Sequence, residues 1–306
     1  MSFPFTGAIP LRFPGPPPAQ ADVVVVGGGV IGVMTAWHLA GQGLRVVVLE
    51  KGRVAAEQSG RNWGWLRQQG RDPAELPIMI ESLGLWQRLA QTMPGLGFRQ
   101  AGVLYLANTQ ADMAGYEAFM VHARAHGLDT RLLSRAEVEA RLGRSGGWLG
   151  GMLTPSDARA EPWAAVPLLA ADAVARGAMI VEGCAVRALD MAAGRVAGVV
   201  TEAGRIACNA VVIAAGAWSR LFLGAAGVRI PQLSVLASVA ATEPMPELFP
   251  ANAADNHFAW RRREDGGYSI APGSEHDFWI GRDAFASFGA YLPVLKKDFR
   301  STHFRA

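Results

Sequence analysis

The chain has 306 residues, half of them hydrophobic, and a net charge of +3 from 29 basic and 26 acidic side chains. That length holds about two domains at roughly 150 residues each, and the apolar content excludes a disordered chain. The only dense basic cluster is Arg261-Arg262-Arg263, so the basic stripe of a nucleic-acid binder is missing, and no apolar run is long enough for a membrane span.

Six prolines crowd the first 20 residues, which lack the basic and apolar regions of a secretory signal and read as an extended arm. Residues 21–26 (ADVVVV) predict a buried parallel strand, 29–39 a helix and 44–50 a second buried strand, together one βαβ unit. Residues 52–73 form a long polar connection, and long loops in compact domains are usually functional. A helix follows at 76–91, a strand at 103–107 and a helix at 109–126. Ser134 and Glu137, at capping-box spacing, open a helix to about 142.

The pattern changes after Gly146-Gly147. Glu161-Pro162 opens a helix to about 176. Strands are predicted at 178–183, 185–190 and 195–208, the last broken by a turn at 202–204, and at 209–215. Antiparallel strands are expected at 233–242, 257–263, 267–271 and 277–281, with Asp265-Gly266 as a hairpin turn. The fold class is α/β, a doubly wound, Rossmann-like nucleotide-binding domain interleaved with an α+β antiparallel-sheet domain. Residues 21–85 and 148–232 make the first, 86–147 and 233–306 the second, and 1–20 the arm.

Gly27, Gly29 and Gly32 form GxGxxG between a strand and a helix. The first glycine permits a tight turn, the second lets a pyrophosphate approach the backbone, and the third lets helix and strand pack closely. The helix N-terminus adds free N–H groups and partial positive charge. Glu50, closing the second strand, is placed to accept hydrogen bonds from an adenosine ribose and to repel a 2′-phosphate, which argues against NADP. The motif does not separate NAD from FAD. The segment Ser59-Gly-Arg-Asn-Trp-Gly64 favours FAD, because a longer cofactor can continue along it.

These pieces, VVVVGGGVIGVMTAWHLAGQGLRVVVLEKG, SGRNWG, DARAEPWAAVPLLAADAVARGAMI and VVIAAGAWS, resemble the FAD-dependent amine and amino-acid oxidoreductases of D-amino-acid-oxidase-like fold, which include glycine oxidase, sarcosine oxidase and D-amino-acid dehydrogenases. The resemblance covers most of 21–290. The stretches RNWGWLRQQGRDPAELP and GGYSIAPGSEHDFWIGRDAF are most similar to dehydrogenases of D-hydroxyproline or opine-like secondary amines. It implies FAD as cofactor, with Gly27, Gly29 and Ile31 at the pyrophosphate and Glu50 and Lys51 at the adenosine. Ser59, Arg61, Asn62 and Gly64 would follow the ribityl chain and ring. Val186 would meet the adenine through its backbone, and Ala215, Gly216 and Trp218 would lie near the pyrophosphate and ribityl chain.

The implied reaction is oxidation of the C–N bond of a D-amino acid or secondary amino acid to an imine by hydride transfer to flavin N5. The protein supplies orientation and dry walls, and electrons pass to oxygen or to a carrier or quinone. A carboxylate substrate calls for a bidentate cation. Arg67, Arg261 and Arg282 are candidates, with Tyr268 as a hydroxyl donor, although lysine occurs only at 51, 296 and 297 and a single arginine is weak evidence in so arginine-rich a chain. Trp63 and Trp65 are placed near the ring.

Two alternatives stay open. One is a flavin-dependent 2-hydroxy-acid dehydrogenase on the same scaffold. The other is an inactive shortened product, because members of the family carry a further Gly-rich strand–turn–helix element that the ending LKKDFRSTHFRA lacks. Cys184 and Cys208 form no CxxC and read as buried free thiols of a reducing compartment, hence the cytoplasm or the inner face of its membrane. His122 and His126, four apart on a helix without an HExxH pattern, read as surface residues, and no metal site is expected.

Overall fold

In the computed structural model, which describes residues 9–272, 276–298 and 302–305, four consecutive valines form the strand Val23–Val26. It pairs in parallel with Val46–Glu50 on one side and Ala210–Ile213 on the other, and Met179–Glu182 extends the sheet beyond Val46–Glu50. The valine run is explained by burial on both faces, which removes the usual polar alternation of a strand. Val23, Val25, Val46 and Val48 pack with Val33 and Ala36 of the helix Val30–Gly41, and with Ala165 and Leu169 of the helix Pro162–Ala175. Val24, Val26, Val47 and Leu49 face the opposite way, toward Val199, Ile206, Cys184 and Cys208.

That opposite layer is an antiparallel meander of Val186–Ala192, Arg195–Thr201 and Gly204–Ala207. Both cysteines are free and buried in the seam beneath it, and burial pushes both thiols above their ordinary range.

A seven-stranded sheet forms the second region, in the order 240–241, 268–272, 258–262, 252–254, 103–107, 150–154, 131–134. Only the pair of Asn252–Ala254 with Val103–Ala107 is parallel. Leu104, Leu106 and Leu153 pack with Val138 and Leu142 of the helix Arg135–Leu142. Tyr105 and Met152, on the alternate face, meet Phe119 and Ala123 of the helix Gln110–Ala125. Both helices open with a full capping box, Thr109 with Asp112 and Ser134 with Glu137.

Four departures from the sequence expectation have physical reasons. The strand expected over 233–242 shrinks to Ala240–Ala241, because Val235, Leu236 and Val239 are exposed and burial does not reward their β-propensity. Gly150–Thr154 is a fully buried strand of the large sheet although it opens on two glycines. A Cβ at Gly150 would sit 2.6 Å from the Leu133 carbonyl oxygen and one at Gly151 2.7 Å from that of Tyr105, so the glycines serve close strand approach. The segment His276–Trp279 leaves the antiparallel sheet and pairs in parallel with Thr302–Arg305. Residues Arg282–Asp298, which carried no helix expectation, form a helix. Among the described residues, no helix is long and apolar enough to cross a membrane.

Candidate active site

The glycine turn between the first strand and its helix is held by backbone. Gly27 donates to the Leu49 carbonyl at 2.9 Å and has φ +109°, and a Cβ there would lie 2.5 Å from the Ala214 oxygen. A Cβ on Gly32 would lie 2.0 Å from the Gly27 oxygen, which fixes its role as helix–strand packing. Gly29 caps the helix without a side chain. No acidic residue occupies the first turn, and Ser59 Oγ accepts from Val30 N–H at 2.9 Å. Such a turn leaves positive backbone dipoles open to an anion.

The turn opens into a cleft of about 1340 Å³. Enclosed small-molecule pockets run roughly 300–1,000 Å³, so this one suits a long, extended ligand. Of the expected cofactor residues, Gly27, Gly29, Ile31, Glu50, Lys51, Ser59, Arg61, Asn62, Val186, Ala215, Gly216 and Trp218 line it. Gly32 lies behind the turn, and Gly64 lines a neighbouring cavity instead.

Glu50 is buried, and each carboxylate oxygen holds one backbone N–H, Oε2 that of Gly28 and Oε1 that of Gly52, both at 2.7 Å. A carboxylate has about four acceptor positions, so capacity remains for ribose hydroxyls. Lys51 Nζ sits 3.3 Å from the Trp218 ring centroid and 3.5 Å from Glu57. Arg61 donates to the Ala56 carbonyl, and Asn62 closes its own loop by donating to Gln58 and Ser59 and accepting from Gly64 N–H. A Cβ on Gly64 would fall 2.3 Å from the Ala160 oxygen. The three-glycine cradle, the helix N-terminus and the strand-end acid together fit a dinucleotide.

The second cavity, about 840 Å³, adjoins the first, since Val30, Ile31, Ser59, Asn62 and Trp63 line both. Five tryptophan and tyrosine side chains line it. Trp63 and Trp65 meet edge to face at 5.0 Å, and Trp86, Tyr105 and Tyr116 complete the set. Burial raises the Tyr105 and Tyr116 hydroxyls above their ordinary range, so both are neutral donors.

Arg67 lines this cavity, 5.8 Å from the Tyr105 ring, and donates to the Gln69 carbonyl; it forms no ion pair among the described residues. The loop behind it is held by buried Asp157, which accepts from the N–H groups of Gln68 and Gln69 and from the Gln68 amide. Desolvation raises the Asp157 carboxyl to about 6, against the lowering influence of those hydrogen bonds.

Two expected substrate residues are corrected. Arg261 is fully buried and lines neither cavity; its fork grips Glu161 at 2.8 and 3.2 Å and reaches the Ala160 carbonyl at 3.2 Å. A buried guanidinium requires such a partner. Tyr268 is also core. Its hydroxyl donates to the Phe249 carbonyl and accepts from Leu248 and Phe249 N–H. Arg282 opens the helix Arg282–Asp298, and its side chain lies outside the described residues. His122 and His126 are exposed.

Sequence reasoning missed Arg71, Tyr105 and Tyr116 in the cavity and Arg53 and Ala55 in the cleft. Tyr105 had a signal, a hydroxyl-bearing ring at the centre of the apolar strand VLYLA.

The DAO family model, described as FAD dependent oxidoreductase, matches residues 22–302, and the chain belongs to that family. It is 32% identical over 238 residues to mouse mitochondrial sarcosine dehydrogenase, covering 74% of this chain and 26% of that protein. It is 35% identical over 236 residues to sarcosine oxidase subunit beta of Rhizobium meliloti (strain 1021), covering 72% and 55%. The chain thus spans about a quarter to a half of the length of these relatives. The solved L-amino acid deaminase from Proteus myxofaciens, in complex with anthranilate, superposes with a TM-score of 0.90 at 29% identity, covering 98% of this chain and 69% of that one.

Proposed function

We propose that this chain holds FAD extended along the 1340 Å³ cleft and oxidises the C–N bond of a D-amino acid or secondary amino acid in the adjoining 840 Å³ cavity. The observation that carries this reading is the continuity of the two spaces through Val30, Ile31, Ser59, Asn62 and Trp63. When bound, the flavin supplies an acceptor for the hydride that leaves the carbon beside the amine. In the cleft, Gly27, Gly29 and Ile31 take the pyrophosphate, Glu50 and Lys51 the adenosine side, and Ser59, Arg61, Asn62 and Gly64 the flavin side. Val186 lies at the adenine, and Ala215, Gly216 and Trp218 lie near the pyrophosphate and ribityl chain.

Arg67 binds the substrate carboxylate as a bidentate donor, and the indole and tyrosine walls exclude water from the reacting bond. Relatives named for sarcosine and for L-amino acids favour a substrate with an amine next to a carboxylate. Residues 21–85 and 148–232, apart from the strand Gly150–Thr154, act as the cofactor-binding unit, and 86–147 and 233–306 together with that strand as the substrate unit. The free thiols Cys184 and Cys208 favour the reducing cytoplasm, and oxygen or a carrier or quinone takes the electrons.

The test is anaerobic mixing of the FAD-loaded chain with sarcosine, D-proline and a 2-hydroxy acid in turn. Bleaching of the flavin by the amines alone is the expected result. Bleaching by the hydroxy acid alone would transfer the chain to that substrate class. A chain that takes up no FAD would be an inactive fragment of such an enzyme.

A further inference from the structure

Glu182 ends the strand next to Glu50, in direct register with it, and is equally buried. Its carboxylate faces no cation among the described residues. Three backbone N–H groups hold it instead, Oε2 accepting from Arg12 at 2.7 Å and Phe13 at 3.1 Å, and Oε1 from Val54 at 2.7 Å. A buried carboxylate persists only where such donors replace water, and these come from two segments far apart in sequence.

The first segment is the proline-rich arm. It is clasped further where Glu182 N–H donates to the Phe13 carbonyl at 3.0 Å and Arg53 Nη1 to the Pro10 carbonyl at 2.9 Å. The second is the loop after Glu50, whose Arg53 and Ala55 line the cleft. Ala55 is buried at φ +64°, a left-handed conformation unfavourable for a residue with a Cβ, and its N–H bonds the Gly28 carbonyl at 3.1 Å. A continuous set of bonds therefore runs from the arm through Glu182 and Val54 to the glycine turn, whose Gly28 N–H is held from the other side by Glu50.

We infer that Glu182 is a positioning residue for the cofactor's adenosine half, and that the arm is a strap whose docking on Glu182 is coupled to dinucleotide binding. Glu182 touches no cofactor; it fixes the 53–55 backbone, and thereby the wall and the turn that do. The inference rests on the FAD reading of the cleft and adds to it a control point one strand away from Glu50.

Fluorescence titration of FAD, with ADP as a second probe, tests it on the wild-type chain, on Glu182→Gln and on a chain lacking residues 1–20. Loss of a charged acceptor from a buried N–H predicts about tenfold weaker binding of both probes to Glu182→Gln, and a smaller loss of both in the shortened chain. The visible spectrum of the saturated flavin stays the same in all three, because the ring end is untouched. Unchanged ADP affinity in both variants, or a shifted flavin spectrum, overturns the inference.

Should Glu182→Gln not fold, the wild-type chain decides. Coupling is reciprocal, so saturating ADP slows proteolysis of the arm, and cleavage indifferent to ADP overturns the inference. A wild-type chain that binds neither probe overturns the cofactor reading and this inference with it. One that binds both, with no loss in either variant, overturns the inference alone.

Discussion

The cleft and the cavity share a border but are built from different materials. The cleft is shaped around backbone: a turn of glycines, a helix end and the strand-terminal carboxylate of Glu50, which holds two main-chain N–H groups. The cavity is made of side chains drawn from distant segments, Trp63 and Arg67 from a loop, Trp86 from a helix, Tyr105 from the large sheet. A surface of backbone binds what every member of a family binds, whereas one of side chains can be changed residue by residue. The first suits a fixed cofactor and the second a variable substrate.

Breaking the cleft gives the largest expected effect. Gly32→Ala forces a Cβ to within 2.0 Å of the Gly27 oxygen. Because backbone cannot yield as a flexible side chain would, the variant loses more than about 3 kcal/mol of stability and its bound flavin, read by thermal melting and by flavin content after purification.

Next comes Arg261→Met, which strips buried Glu161 of its fork. It costs about 3 kcal/mol but leaves KM for the amino acid unchanged. A raised KM in that variant would return Arg261 to the substrate site.

Arg67→Ala does the reverse. It raises KM about 100-fold through loss of charged hydrogen bonds to the carboxylate, with little change in melting temperature. Steady-state kinetics beside a melt separates the two arginines.

The smallest effect sits behind the cavity. Asp157 has a folded-state carboxyl near 6 against an ordinary 3.8. The native state therefore binds this proton more tightly than the unfolded state does. Stability falls as pH rises from about 4 to about 6 and does not return above it. Asp157→Asn removes that slope, which paired melts at pH 4, 5, 6 and 7 would show as a difference narrowing in the variant's favour.

The same contrast explains what could be read from the residues alone. GxGxxG, the valine strands and Glu50 were legible because local spacing specifies them: a glycine is needed where a Cβ would strike backbone, and consecutive valines imply two covered faces. Arg261 and Tyr268 were misread because nothing local tells a buried arginine from a substrate-facing one. That distinction is set by Glu161, 100 residues away, and by the backbone of Leu248 and Phe249. Asn252–Ala254 was invisible for a related reason. Asn and Ala are poor strand formers, and the strand exists only because Val103–Tyr105 and the neighbouring hairpin pair with it.

The two sulfhydryls in the seam between the valine sheet and the meander make that seam measurable. Covered and held in the protonated form, they meet an alkylating reagent only when the layers part. Their labelling rate is thus a stopwatch for the breathing of the two layers, and it runs without any engineered probe.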